Sequence, residues 1–248
     1  MIGKEADAAY ALCDQALAID PNNVRALMGL GAKFWVRAIF SVSGDRKGDL
    51  ARADELASKA LALDPDWTWT HAVKGAVLRA EGRPEEGVAE QERALALDPS
   101  NVTAAADLGF DYANLGEFDQ ALEYLDKAIL ASPHDPSLKY WYGGKAEAHF
   151  ALKNYDQAIE SARRAIAINP DYNAFSHAML VAALALTDHD AEAREALQRF
   201  LALPSTGPLK TLAAWKDHFV TEKHVDPRLV DRDERTLTGL RKAGMPEE

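Results

Sequence analysis

The sequence predicts an all-α protein, a right-handed α-solenoid of helical hairpins closed by a C-terminal helical cap, on three observations. The first is a period: phrases of the form Ala-Leu-Ala-Leu-Asp-Pro end at Pro21, Pro65, Pro99, Pro133, Pro170 and Pro204, with separations of 44, 34, 34, 37 and 34 residues. Three equal intervals define a 34-residue unit, and the two longer ones carry insertions of ten and three. The second is composition. The 248 residues are 48% hydrophobic and 27% charged, enough to bury a core and unlike a disordered chain. The third is the match within each unit of two apolar stripes at helical spacing, separated by a glycine or polar turn and ended by proline.

The elements follow in order. Residues 1–21 read as a leading half-repeat, the second helix of a unit, with Ala9 and Ala16 at its small positions. Five hairpins follow, 22–65, 66–99, 100–133, 134–170 and 171–204, and then two capping helices in 205–248. The hairpin from Val102 to Pro133 is the fullest. Gly109, Ala121 and Ala128 let its helices approach, Leu108, Tyr112 and Leu125 fill the seam, Gly116 suits a left-handed helix end, and Pro133 lacks the amide proton a longer helix needs. In the first hairpin the ten extra residues, Ser41 to Leu50, are expected to form a loop with Gly44 and Gly48 as breakers. In the second, Gly87 stands where a small Ala is usual and Pro84 opens the second helix. In the fourth, Asp135 is placed to cap and Pro136 to begin a helix lengthened by three residues. This unit resembles the tetratricopeptide repeat, a pair of antiparallel helices.

In such a repeat the free face of each first helix lines an inner groove. By offset the groove candidates are Met28, Trp35, Trp69, Arg79, Phe110, Asn114, Tyr140, Glu147, Phe150 and His177. Aromatic rings and methionine suit a peptide or helix from another protein, because they give contact area at small entropic cost. The alternative, that these rings pack against neighbouring helices or the tail, stays open at this stage. A subgroup of these repeats binds chaperone C-termini through Lys and Asn, but here Met28, Ala72, Ala76, Ala106 and Phe110 occupy the clamp offsets, so a terminal carboxylate would lack its partners.

Charge and motif searches narrow the function. A net charge of −11, all of it in the repeats because residues 205–248 hold eight basic and eight acidic side chains, disfavours nucleic acid as a partner. No long apolar run marks a membrane span or a secretory signal, and the single Cys13 fits a cytoplasmic protein. Cys13 is expected to be a small packed side chain rather than a nucleophile. The seven histidines form no metal motif; Asp188-His189-Asp190 falls in a turn and is expected to face water, and Gly143-Gly144 reads as close packing, not as a phosphate loop. No cofactor and no catalysis are expected, and self-association through the uncovered leading helix is a possible further contact.

Several longer phrases make the chain similar to one subset of these repeats, the carboxyl-terminal arm of bacterial class III adenylate/guanylate cyclases. They are the long hairpin with Trp35, Ser132-Pro133-His134-Asp135-Pro136 followed by Trp141, Tyr155-Asp156-Gln157-Ala158-Ile159-Glu160, and the ending Gly239-Leu240-Arg241-Lys242-Ala243-Gly244-Met245-Pro246. The resemblance implies a signalling or scaffolding arm whose active domain, a nucleotide cyclase or a DNA-binding regulator, would lie upstream.

Overall fold

Six helices stop two residues short of the six periodic prolines, and this common register organises the fold. In the computed structural model, which describes residues 4–39, 44–170, 174–203, 209–222 and 226–248, they are α1 (Lys4–Ile19), α3 (Arg46–Leu63), α5 (Pro84–Leu97), α7 (Phe118–Ala131), α9 (Tyr155–Ile168) and α11 (Asp190–Ala202). The last five of these are each preceded by a hairpin partner, α2 (Val24–Ile39), α4 (Thr68–Ala80), α6 (Val102–Asn114), α8 (Leu138–Ala151) and α10 (Ala174–Leu186). Helices α12 (Leu212–Glu222) and α13 (Pro227–Ala243) complete thirteen among the described residues, and no strand occurs among them. Pro204 itself lies outside the described residues.

The phrase Asp-Pro-x-Asn explains how one hairpin hands over to the next. After α1, Asp20 accepts the Asn22 amide and Asn23 accepts that of Ala26; after α5, Asp98 and Asn101 do the same for Ser100 and Ala104. Proline blocks the helix while the two side chains satisfy the amides that the interruption exposes. The turn inside a hairpin needs one left-handed residue, filled by Gly82 and Gly116 and then, without glycine, by Lys153 and Asp188 at φ of 64° and 61°.

The chain divides into two compact units, Met1–Asp111 and Tyr112–Glu248, with the division inside α6. In the first, Leu27, Met28, Leu30, Leu56, Val73 and Val77 form the core with alanines at 53, 57 and 60, and Tyr10, Cys13 and Leu17 of α1 pack on its edge. Half-buried Cys13 rests in the notch left by Gly29, where a Cβ would stand 2.7 Å from its sulfur. In the second, Phe150, Met179, Leu184, Leu197, Phe200, Trp215 and Leu240 form the core.

Two local expectations are corrected. Ser41, Val42 and Ser43 lie outside the described residues, but Arg46–Leu50, expected as loop, is the first turn of α3. Gly44 has φ 74°, and Asp45 caps α3 by accepting the Gly48 amide, so Gly48 sits inside the helix instead of breaking it. Asp49 is then buried against Arg37. In the fourth hairpin the three extra residues form a turn and leave the helix at 14 residues: Asp135 accepts the Ser137 amide, and α8 starts only at Leu138.

Candidate functional site

The first unit keeps part of its first-helix face open. Trp69 of α4 is 38% exposed, and Thr103 of α6 is also exposed. Trp35 is half-buried, its indole Nε1 donating to the Ala76 carbonyl oxygen at 3.1 Å, so it ties α2 to α4 while presenting only part of its ring. Met28 is a correction. It is wholly buried in the α2–α3 seam, because its long flexible chain fills the gap there, and it meets no ligand.

Arg79 is bound into a charge knot. Its guanidinium donates to Asp107 Oδ1 at 2.8 Å, to the Asp107 carbonyl at 3.1 Å and to Asp111 Oδ1 at 3.0 Å, and it lies 5.6 Å from the Phe110 ring centre. Burial opposes its charge, but the two aspartates outweigh that and raise its pKa. Burial pushes Asp111 up to about 7, and Asp107 also upward, although Arg79 pulls both down. The second oxygen of Asp111 is buried without a hydrogen-bond partner, which is why the carboxylate form is costly there. The knot explains Gly87: a Cβ there would stand 2.9 Å from Asp111 Oδ1 and 3.1 Å from the Gly75 carbonyl oxygen. A usual Ala leaves no room for the aspartate. Arg79 therefore fixes α4 to α6 and is not a free groove cation.

The second unit's first-helix face is filled by the protein itself. Phe150 is fully buried, and Arg235 of α13 lies 5.2 Å from its ring centre. Glu147 pairs with buried Arg232 of α13. His177 is 95% buried; its ring Nε2 donates to the Pro170 carbonyl at 3.0 Å, and burial lowers its pKa. These three are corrections to the groove assignment: α13 takes the surface at Phe150 and Glu147, and His177 is enclosed by the Pro170 turn and Phe200 of α11, 6.4 Å from its ring. Asn114 is exposed and Tyr140 half-buried, with Lys139 above the Tyr140 ring at 4.8 Å.

The tail was expected to cap the last hairpin, and α12 does so. Trp215 is buried, its ring edge-on to Phe175 of α10 at 5.2 Å and 6.5 Å from Phe200 of α11. Helix α13 does something else. Arg228 reaches the Leu115 carbonyl and Glu117, each at 3.0 Å; Arg235 donates to the carbonyls of Phe150 at 2.7 Å and Ala151 at 2.8 Å. Lys242 pairs with Asp188 at 2.5 Å in a turn whose Asp188, His189 and Asp190 are exposed, as expected. Gly239 makes the closest approach, since a Cβ there would be 2.7 Å from both Cα and O of Ala182. Sequence reasoning passed over this row of basic residues; its signal was the spacing of 228, 232 and 235, which repeats one helical face.

Among the described residues no group of three His, Cys, Asp or Glu side chains is gathered to hold a metal ion, and no helix is long and apolar enough to cross a membrane.

Comparison with known proteins agrees with this architecture. Residues 100–171 match the tetratricopeptide repeat family model. A TPR repeat-containing thioredoxin of Arabidopsis thaliana, TTL4, is 38% identical over 80 residues, which are 32% of this chain and 12% of that protein, so the chain spans a small part of that relative's length. Among solved structures, pilF of Pseudomonas aeruginosa is similar with a TM-score of 0.63 at 19% identity over 87% of both chains. The human IFIT1 dimer with m7Gppp-AAAA has a TM-score of 0.68 at 18% identity, over 99% of this chain and 57% of that one. YrrB, described as a TPR protein with an unusual peptide-binding site, has a TM-score of 0.53 at 19% identity over 77% and 91%. Residues 100–171 thus carry the tetratricopeptide pattern, and the thirteen helices of the described residues share its helical-hairpin fold.

Proposed function

We propose that this tetratricopeptide protein is a non-catalytic interaction module that takes a peptide or helix of another protein on the first-helix face of its first unit. The supporting observation is the exposed indole of Trp69 in the first turn of α4, with the half-buried rings of Trp35 and Phe110 meeting the same helix further along, at Ala76 and Arg79. An aromatic ring with free area on a rigid helical face is a contact point that needs little ordering when a partner arrives. In the second unit the equivalent surface is already covered, which directs the reading to the first.

The test compares capture of proteins from the source cell by the immobilised chain and by its Trp69→Ala, Phe110→Ala variant. Circular dichroism checks that helicity is kept. Loss of a specific bound species in the folded variant supports the reading, and an identical bound set in both overturns it.

A finer reading makes the module a regulatory arm in signalling. Its support is the set of phrases similar to the cyclase arm, including the ending Gly239 to Pro246 that the structure places against α10 through Gly239. On that reading an upstream nucleotide cyclase or DNA-binding regulator carries the activity. The coding sequence before Met1 tests it: an in-frame domain of either kind supports it, and a stop codon close upstream removes it.

A further inference from the structure

Helix α13 joins its wall by an apolar side, with Leu240 and Ala243 in the unit's core, and by a polar edge that fastens it. Eight of its seventeen residues are charged, and Leu229 and Leu240 are the only large aliphatic side chains it buries fully. Along it, Arg228, Arg232, Arg235 and Lys242 stand at offsets 0, 4, 7 and 14, one edge of the helix, beside the stripe of Leu229, Thr236, Leu240 and Ala243. The basic row reads three successive hairpin turns. Arg228 takes Leu115 and Glu117 after α6, Arg235 takes the last carbonyls of α8, and Lys242 takes Asp188 after α10, with Arg232 on Glu147 between them. Helix C-termini carry partial negative charge and unpaired carbonyls, and a guanidinium fork satisfies two of these at once, as Arg235 does.

We propose that this wall is a receptor surface for an amphipathic helix with basic residues at i, i+4, i+7 and i+14 and a small residue at i+11, and that α13 occupies it in cis as a displaceable ligand. The requirement at i+11 comes from Gly239, where the backbone of Ala182 leaves no space for a side chain. The acidic groups Glu117, Glu147, Asp188 and Asp190 select the basic row, and the narrow approach at Ala182 rejects bulky helices that carry the right charges. A partner helix of this pattern competes with α13 for the same carbonyls and carboxylates. The proposal rests on the interaction-module reading but concerns a different unit and different residues.

Two measurements on the full chain test it. In native-state hydrogen exchange, an in-cis ligand opens apart from its wall, so the amides of α13 should exchange faster than those of α8 and α10 and accelerate further with added salt. Exchange of all three helices in one step would make α13 a permanent part of the core and overturn the proposal. The second measurement uses a fluorescent synthetic peptide of residues 226–245 as probe, followed by anisotropy. An Arg228→Ala, Arg235→Ala chain, folded by circular dichroism, should bind it about tenfold more tightly than wild type, since apparent affinity follows the fraction of open wall. A probe with Gln at 228, 232 and 235 should not bind. A folded variant that gains no affinity, or gains it equally for the Gln probe, refutes the assignment. Neither readout involves Trp69, so failure here and failure of the first-unit interface are separable.

Discussion

Replacing Gly87 by Ala tests the charge knot most directly, because helix propensity and packing pull in opposite directions. Gly87 lies inside α5, where an exposed Gly→Ala exchange would stabilise the helix by about 1 kcal/mol. Here the new Cβ would stand 2.9 Å from Asp111 Oδ1, the oxygen that accepts from Arg79 at 3.0 Å. That oxygen cannot withdraw without loosening a buried charge-assisted hydrogen bond, worth about 1.5–3 kcal/mol, and overpacking adds about 1–3 kcal/mol. The propensity gain offsets only part of this, and a net loss of about 1–3 kcal/mol is expected. In an Asp111→Ala background the carboxylate is gone and the tightest remaining contact is the Gly75 carbonyl oxygen at 3.1 Å, so the same exchange should be within about 1 kcal/mol of neutral. The four proteins of the cycle are compared by urea unfolding followed by circular dichroism, reading midpoints at unchanged slope. An equal effect of Gly87→Ala in both backgrounds would show that Asp111 does not set the requirement for glycine.

The same aspartate makes the first unit pH-sensitive. With a folded pKa of about 7 against an ordinary 3.8, the folded state holds the extra proton between those values, so the stability this group contributes is full below about pH 4 and falls as pH rises to about 7. The loss is up to about 4 kcal/mol at 1.36 kcal/mol per unit, and Asp111→Asn should flatten it in denaturation midpoints measured across that range. Phe150→Ala should cost about 3–5 kcal/mol, whereas Trp69→Ala, with its ring 38% exposed, should cost far less; thermal unfolding compares them. Gly239→Ala should weaken the docking of α13 by about 1–3 kcal/mol, since the Ala182 backbone cannot yield, and hydrogen exchange of α13 measures the change.

The hairpins were legible because their stops are chemical. Proline cannot extend a helix, and Asp and Asn beside it satisfy the exposed amides, so the Asp-Pro-x-Asn phrases mark the ends of α1 and α5 wherever the rest of the chain lies. The insertions were harder to read, since their outcome depends on neighbours. Arg46–Leu50 becomes helix because Asp45 caps it, Asp49 finds Arg37 of the same hairpin and Arg46 donates to the Ala80 carbonyl of the next one. In the fourth hairpin, Asp135 could have capped a helix; by accepting from Ser137 it closes a turn instead, and local propensity does not separate these two.

The site divides along the same line. Offsets alone place Met28, Phe150 and His177 on an inner face as surely as Trp69, because the repeat fixes direction and says nothing of what arrives there. What arrives at α8 and α10 is α13, drawn from far along the sequence by groups that periodicity does not mark: carbonyls at a helix end and single carboxylates, Glu147 within α8 and Asp188 in the turn after α10. A basic row on a helix reads as a solvated face until its counter-charges are located. Once Leu115, Phe150 and Ala151 are seen to offer their carbonyls to Arg228 and Arg235, the row becomes a ligand pattern, and the acidity of the repeats acquires a local role beyond solubility. On the proposed reading, salt or a competing basic helix acts on the polar edge of α13, and its apolar side, with Leu240 and Ala243 in the core, sets how far the helix opens.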